Sequence, residues 1–206
     1  MDIAQLDGER HLIRVQVRRR MDEYLRDYLR PVTENSDVCI LELETEIEGM
    51  LHGYAFKGYI DRIDERDGRI VIVDYKTGGD TKADGIRLDT LDPDERSTWP
   101  AAIASLQLPV YALLYAAQTQ RSLGEIRPVY LRLGLGEMSP AAEHSFVSDE
   151  SLLEDAYALA SQVLEGLLSE IVNPAIPFLP AADLTTACVH CGFKTLCGTQ
   201  WVRKRW

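Results

Sequence analysis

No stretch of this sequence is apolar over the roughly 20 residues that a bilayer-spanning helix needs, so no such span is expected. The N-terminus also lacks the short apolar segment of a secretory leader. Cysteine is scarce, four in 206 residues, which excludes a scaffold built on disulfides. Basic side chains are outnumbered, 22 Lys and Arg against 33 Asp and Glu, and the formal charge of −11 has the wrong sign for a surface that grips a polyanion unaided. Repeats and low-complexity tracts are missing as well. These absences predict a cytoplasmic protein that meets no membrane. With 46% apolar residues it has enough material for one buried core.

Residues 58 to 78 carry most of the chemistry. The alternation Phe56, Gly58, Ile60, Arg62 against Tyr59, Asp61, Ile63 and the β-branched run Ile70-Val71-Ile72-Val73 are strand signals, and the Asp67-Gly68 pair between them signals a tight turn. The predicted hairpin sets Asp61 beside Asp74 across the ladder, with Lys76 on the same face as Asp74. Two adjacent carboxylates repel unless something neutralises them. A hard cation such as Mg²⁺ is held by one or two carboxylates plus phosphate and water. An exposed ion pair between Asp74 and Lys76 is the plain alternative, but Val71 to Val73 look buried on both faces, which puts Asp74 at a core boundary.

Around the hairpin the periodicity predicts an amphipathic helix over residues 8 to 30, with Met21, Tyr24, Leu25, Tyr28 and Leu29 on its apolar stripe and Pro31 as its stop. Arg18, Arg19, Arg26 and Arg30 lie on its other face, read as solvated. A strand over Val38 to Glu48 follows, with a turn at Glu48-Gly49. Residues 78 to 100 read as a mobile loop bordering the substrate path. A helix from Ala101 to Gln120 contains Pro109 as a kink or a shifted start, and carries Gln107 and Tyr111 one turn apart. A strand at Val129 to Leu135 and a helix at Leu152 to Ile171 complete an α/β layer fold with a mixed sheet.

Near the C-terminus Cys188, Cys191 and Cys197 stand as C-x2-C-x5-C, with His190 among them and Arg203-Lys204-Arg205 beyond. Thiols so clustered point to a metal centre. Zinc wants four nitrogen or sulfur ligands, and a [4Fe–4S] cluster wants four thiolates.

The stretches Gly58-Tyr59-Ile60-Asp61-Arg62-Ile63-Asp64, Asp74-Tyr75-Lys76-Thr77-Gly78 and Gln107-Leu108-Pro109-Val110-Tyr111 together resemble PD-(D/E)XK nucleases of the RecB type, which include the AddB and Cas4 groups. The resemblance implies a restriction-endonuclease-like fold over residues 1–180 and a Cys-rich tail over 181–206. It implies Asp61 and Asp74 as ligands of Mg²⁺ or Mn²⁺, the Tyr75 carbonyl as a further ligand, and Lys76 as the group that orients or activates water. Gln107 and Tyr111 match the Q-x-x-x-Y motif, and Glu44 is a weaker candidate.

Cys188, Cys191 and Cys197 match three ligands of an iron–sulfur cluster in that family. The fourth is absent, since Cys39 lies in the first strand at the wrong place. The upstream metal-binding histidine is also unmatched, His11 being too near the start. Both gaps predict the C-terminal part of a nuclease domain from a longer helicase-nuclease, with DNA as substrate and a helicase region as partner. The implied activity is an exonuclease of recombination and repair. A Cas4-like CRISPR nuclease and a non-catalytic DNA-binding or scaffold module are the alternatives.

Overall fold

A computed structural model describes residues 3–78, 85–134, 136–178, 181 and 184–203. The chain divides into two compact units, Met1–Leu164 and Glu165–Trp206. The first contains a five-stranded sheet in sequence order: β1 (Val38–Leu51), β2 (Tyr54–Arg66), β3 (Arg69–Lys76), β4 (Ile126–Arg132) and β5 (Glu143–Ser145). Every pairing is antiparallel except β3 with β4. Both hairpin turns have positive φ at two successive residues, His52-Gly53 (50° and 80°) and Asp67-Gly68 (49° and 80°), the geometry that matches the twist of paired strands. The first turn therefore falls at His52-Gly53. Gly49 stays inside β1, where the Leu114 side chain packs against it.

The helices are α1 (Ile3–Glu23), α2 (Arg30–Asn35), α3 (Trp99–Ala102), α4 (Gln107–Thr119), α5 (Leu153–Val172) and, in the second unit, α6 (Leu184–Ala187). Pro31 does not stop the first helix. A π-helical turn, Tyr24–Leu29, joins α1 to α2, and the Arg30 N–H reaches back to the Leu25 carbonyl. The wider turn receives a proline that an α-helical ladder would reject. It also shifts the phase of the stripe: Tyr24 and Tyr28 are buried, while Met21 and Leu25 are exposed.

Val71, Val73, Val129 and Leu131 on one sheet face pack with Tyr24, Tyr28, Val32 and Met138. Across the sheet, α4 buries Leu108, Ala112 and Tyr115. The predicted helix over 101–120 is two pieces, because the chain is extended at Ile103 and α4 begins at Gln107, placing Pro109 in its first turn where a missing N–H costs nothing. The expected strand at 129–135 is β4, shifted toward the N-terminus, and β5 is an addition too short to show an alternation.

The segment before α3 is packed where a mobile loop was expected. Ile86, Leu91 and Trp99 are buried, the Trp99 indole N–H donates to the Asp92 carbonyl at 3.0 Å, and Ile86 bridges to Ile103. Three apolar anchors spaced through a polar sequence have no periodicity to read. Residues 79–84 lie outside the described residues.

A charged network crosses the α1 side of the sheet. Asp64, fully buried, takes Arg62 at 2.5 and 2.8 Å and Arg66 at 2.9 and 3.0 Å. Arg66 continues to Glu143 at 2.6 Å, and Arg127 joins Glu143 at 2.8 Å and Glu150 at 2.6 Å. Tyr24 accepts from Arg62 at 2.8 Å, and Tyr28 donates to Glu143 at 2.5 Å. Burial pushes the Tyr28 phenol up, and the Glu143 charge beside it pushes it further.

Candidate active site

The β2–β3 ladder ends at Arg62↔Val73, just where the candidate acids begin. Beyond it the Asp61 carboxylate replaces a strand bond, accepting the Tyr75 backbone N–H at 2.6 Å. Asp61 also marks a reversal in β2. Gly58 faces Tyr111 of α4, whereas Arg62 reaches Tyr24 on the opposite side of the sheet. A regular strand would put residues four apart on one face. The β1–β2 register shifts between Ile40 and Glu42, and between the pairs Leu43↔Arg62 and Thr45↔Ile60, which keep one register, Glu44 adopts φ +47° in the left-handed region. The single alternation read from Phe56 to Ile63 therefore breaks at Asp61, and only the structure reveals it.

Asp74 is 5% exposed. Its Oδ1 accepts from the Gln107 side-chain amide at 2.7 Å, and its Oδ2 lies 2.7 Å from the Lys76 ammonium. Lys76 donates in turn to Gln107 Oε1 at 2.9 Å, so one glutamine amide grips both members of the ion pair. The Tyr111 hydroxyl takes the other Gln107 amide proton at 3.0 Å. Gln107 and Tyr111 are one helical turn apart at the start of α4, which makes this shared grip possible. Asp74, Lys76, Gln107 and Tyr111 form one hydrogen-bonded group, and Asp61 joins it through the Tyr75 backbone.

Gly58 belongs to the same construction. A Cβ added there would lie 2.9 Å from the Tyr111 ring, and Tyr111 is tied to Gln107. Gly58→Ala is expected to lower turnover about tenfold by displacing Gln107, since small misplacements at a reacting centre are costly. Gly58→Ala combined with Tyr111→Ala should lose no more than Tyr111→Ala alone. Steady-state kinetics on the three variants checks this.

Other predicted positions are not gathered in. Glu44 is across the ladder from Asp61 but exposed, and His11 is exposed on α1. Of the arginines predicted on the solvated face, Arg19 pairs with Glu23 at 3.0 Å, and its neighbour Arg20 shares that carboxylate at 2.9 Å. Among the described residues no group of three or more His, Cys, Asp or Glu side chains is placed to hold a metal ion. Cys188 is buried and Cys191 and Cys197 are half-buried, all as free thiols, and the three do not converge as cluster ligands. Cys39 is exposed on β1, and residues 204–206 lie outside the described residues.

Two residues near the site carried no sequence signal of their own. Ser105 accepts the Gln107 backbone N–H at 3.1 Å, and Tyr130 stands opposite Asp74 in the parallel ladder. The alternation in β4 does separate Tyr130 and Arg132 from Val129 and Leu131. It cannot say which strand they stand beside.

A mixed five-stranded sheet flanked by helices, with two acids, a lysine and a Q-x-x-x-Y pair on one side, defines a nuclease-type phosphodiester hydrolase of the restriction-endonuclease-like class. The chain belongs to the PD-(D/E)XK nuclease superfamily, whose family model matches residues 3–198. No curated protein matches the sequence. No helix among the described residues is long and apolar enough to cross a membrane.

Proposed function

We propose that this protein is a DNA exonuclease, the nuclease part of a helicase-linked enzyme of recombination and repair, with Mg²⁺ or Mn²⁺ as its cofactor. The observation that carries the reading is the shared grip of Gln107 on Asp74 and Lys76 beside Asp61. Two carboxylates against one ammonium leave one net negative charge and oxygen donors, which suits a hard divalent cation. A pair of acids is enough for Mg²⁺, which takes one or two carboxylates and fills its remaining positions with substrate phosphate and water. Asp61, Asp74 and the Tyr75 carbonyl are the groups that would hold it. When bound, such an ion supplies Lewis-acid polarisation of the phosphoryl group and a lowered pKa for water.

The chain's own residues supply the rest. Lys76 places a positive charge where negative charge grows on the transferring phosphoryl group, and its fixed direction means no reorganisation at the moment of reaction. Gln107 orients Asp74 and Lys76 together, and Tyr111 orients Gln107. The net charge of −11 supports delivery of the strand by a separate basic element, and a helicase region would fill that role.

The test is digestion of end-labelled linear DNA beside a closed circle of the same sequence, in Mg²⁺. Release of short products from the linear DNA with the circle intact is expected. Cleavage of the circle would overturn the exonuclease reading, and cleavage of neither by protein that binds Mg²⁺ would favour a non-catalytic module.

A further inference from the structure

Lysine is a flexible four-carbon stem with a strongly hydrated head, and left to itself it samples many positions. Lys76 is partly open to solvent, its side chain 36% exposed, yet its ammonium sits on Asp74 and Gln107 together. What lies beneath it is the ring of Tyr130, with the ammonium 4.8 Å from the ring centroid, within range for a cation over an aromatic face. Tyr130 is 1% exposed, so this contact is shielded from water on the ring side. Its hydroxyl points elsewhere, donating to Ser105 Oγ at 3.2 Å, and that same oxygen accepts the Gln107 backbone N–H at 3.1 Å. One buried side chain thus touches the lysine with its face and, through Ser105, the first residue of α4 with its tip.

We propose that Tyr130 is a positioning residue for hydrolysis, its ring holding the Lys76 ammonium over Asp74 and its hydroxyl fixing the start of α4, so that Gln107 meets both. The placement follows from the parallel ladder, in which Tyr130 pairs with Asp74 and Lys76 with Arg132. Residues alternating along β3 and β4 then share one face, and the aromatic ring comes to lie beneath the ammonium that is paired with Asp74. The inference rests on the reading of Lys76 as the cationic group of a nuclease site. It adds a residue outside the three motifs that marked the site.

The experiment compares wild type, Tyr130→Phe, Tyr130→Met and Ser105→Ala on short single-stranded DNA in Mg²⁺, with a crystal structure of Tyr130→Met. Phenylalanine keeps the ring, and methionine fills the buried space without one. With a cation over an aromatic face worth what it is elsewhere, Tyr130→Met should lose about 5- to 30-fold in kcat with KM unchanged, whereas Tyr130→Phe and Ser105→Ala lose about threefold or less. In the Tyr130→Met crystal the ammonium of Lys76 should leave Gln107.

Equal losses for Phe and Met, a loss carried by KM, or a lysine still seated on Gln107 would each overturn the proposal. Should Tyr130→Met fail to fold, Tyr130→Leu takes its place against the same criteria. Full activity of Lys76→Met would sink the nuclease reading itself, separately from the role of Tyr130.

Discussion

Asparagine at position 74 is expected to reduce DNA hydrolysis at least about 10³-fold while leaving the fold intact. Asparagine matches aspartate in shape and can still accept the Gln107 amide proton, bonded now at 2.7 Å. What it loses is the charge. Its amide nitrogen, a donor, would face the Lys76 ammonium, also a donor, so the 2.7 Å ion pair disappears. A carboxylate that holds a catalytic cation is worth several kcal/mol of transition-state stabilisation, and each 1.36 kcal/mol is about tenfold in rate. Asp61→Asn should behave alike, although it also weakens the tie to the Tyr75 N–H. Rates at saturating Mg²⁺, with a urea unfolding curve as control, decide the matter. A rate within tenfold of wild type for Asp74→Asn would remove Asp74 from the catalytic group.

The largest effect on stability is expected on the other side of the sheet. Asp64→Ala strips the carboxylate shared by Arg62 and Arg66, both nearly inaccessible to water. Arg66 keeps Glu143, but Arg62 is left with the uncharged Tyr24 and Tyr75 hydroxyls. A buried charge stranded in this way typically costs about 3–5 kcal/mol. Denaturant unfolding should show that loss, whereas a loss under about 1 kcal/mol would mean the network is stabilised elsewhere. Replacing the pair together, Arg62→Met with Asp64→Leu, should recover most of the stability, because hydrophobic substitutes for a buried ion pair are often neutral.

The same network predicts the acid limb. Burial alone would raise the Glu143 carboxyl, but Arg66, Tyr28 and Arg127 together hold it below its ordinary value of 4.5. A depressed folded-state pKa contributes stability that is present above the unfolded value and lost as pH falls through the folded one. The loss attributable to Glu143 should therefore begin below about pH 4.5 and be missing in Glu143→Gln.

The Asp67-Gly68 turn, the β-branched β3 and the Gln107–Tyr111 spacing were legible in the sequence because each is a local signal, set by backbone preference or by the pitch of one helix. They located Asp61, Asp74, Lys76, Gln107 and Tyr111, which meet in the candidate site. The reversal at Asp61 was not legible, because the residues from Phe56 to Ile63 alternate in a way that one regular strand also satisfies, and nothing in their types marks a change of face. Neither was the partnership of Arg66 with Glu143, whose residues are 77 positions apart and meet only through the order of the sheet. Tyr130 was hidden for a similar reason: its alternation in β4 was visible, but its neighbour in β3 depends on a parallel crossover. Sparse anchors such as Trp99 escape periodicity altogether.

One consequence of the broken ladder concerns the amide hydrogen of Tyr75. In an ordinary sheet the exchange of such a hydrogen with solvent reports on the opening of a neighbouring strand. Here the neighbour has already parted company at Val73, and a single side chain, Asp61, shields the amide instead. Its exchange rate therefore registers the position of one carboxylate, independently of turnover. A backbone proton near the end of β3 is in effect a built-in gauge for the acid beside it.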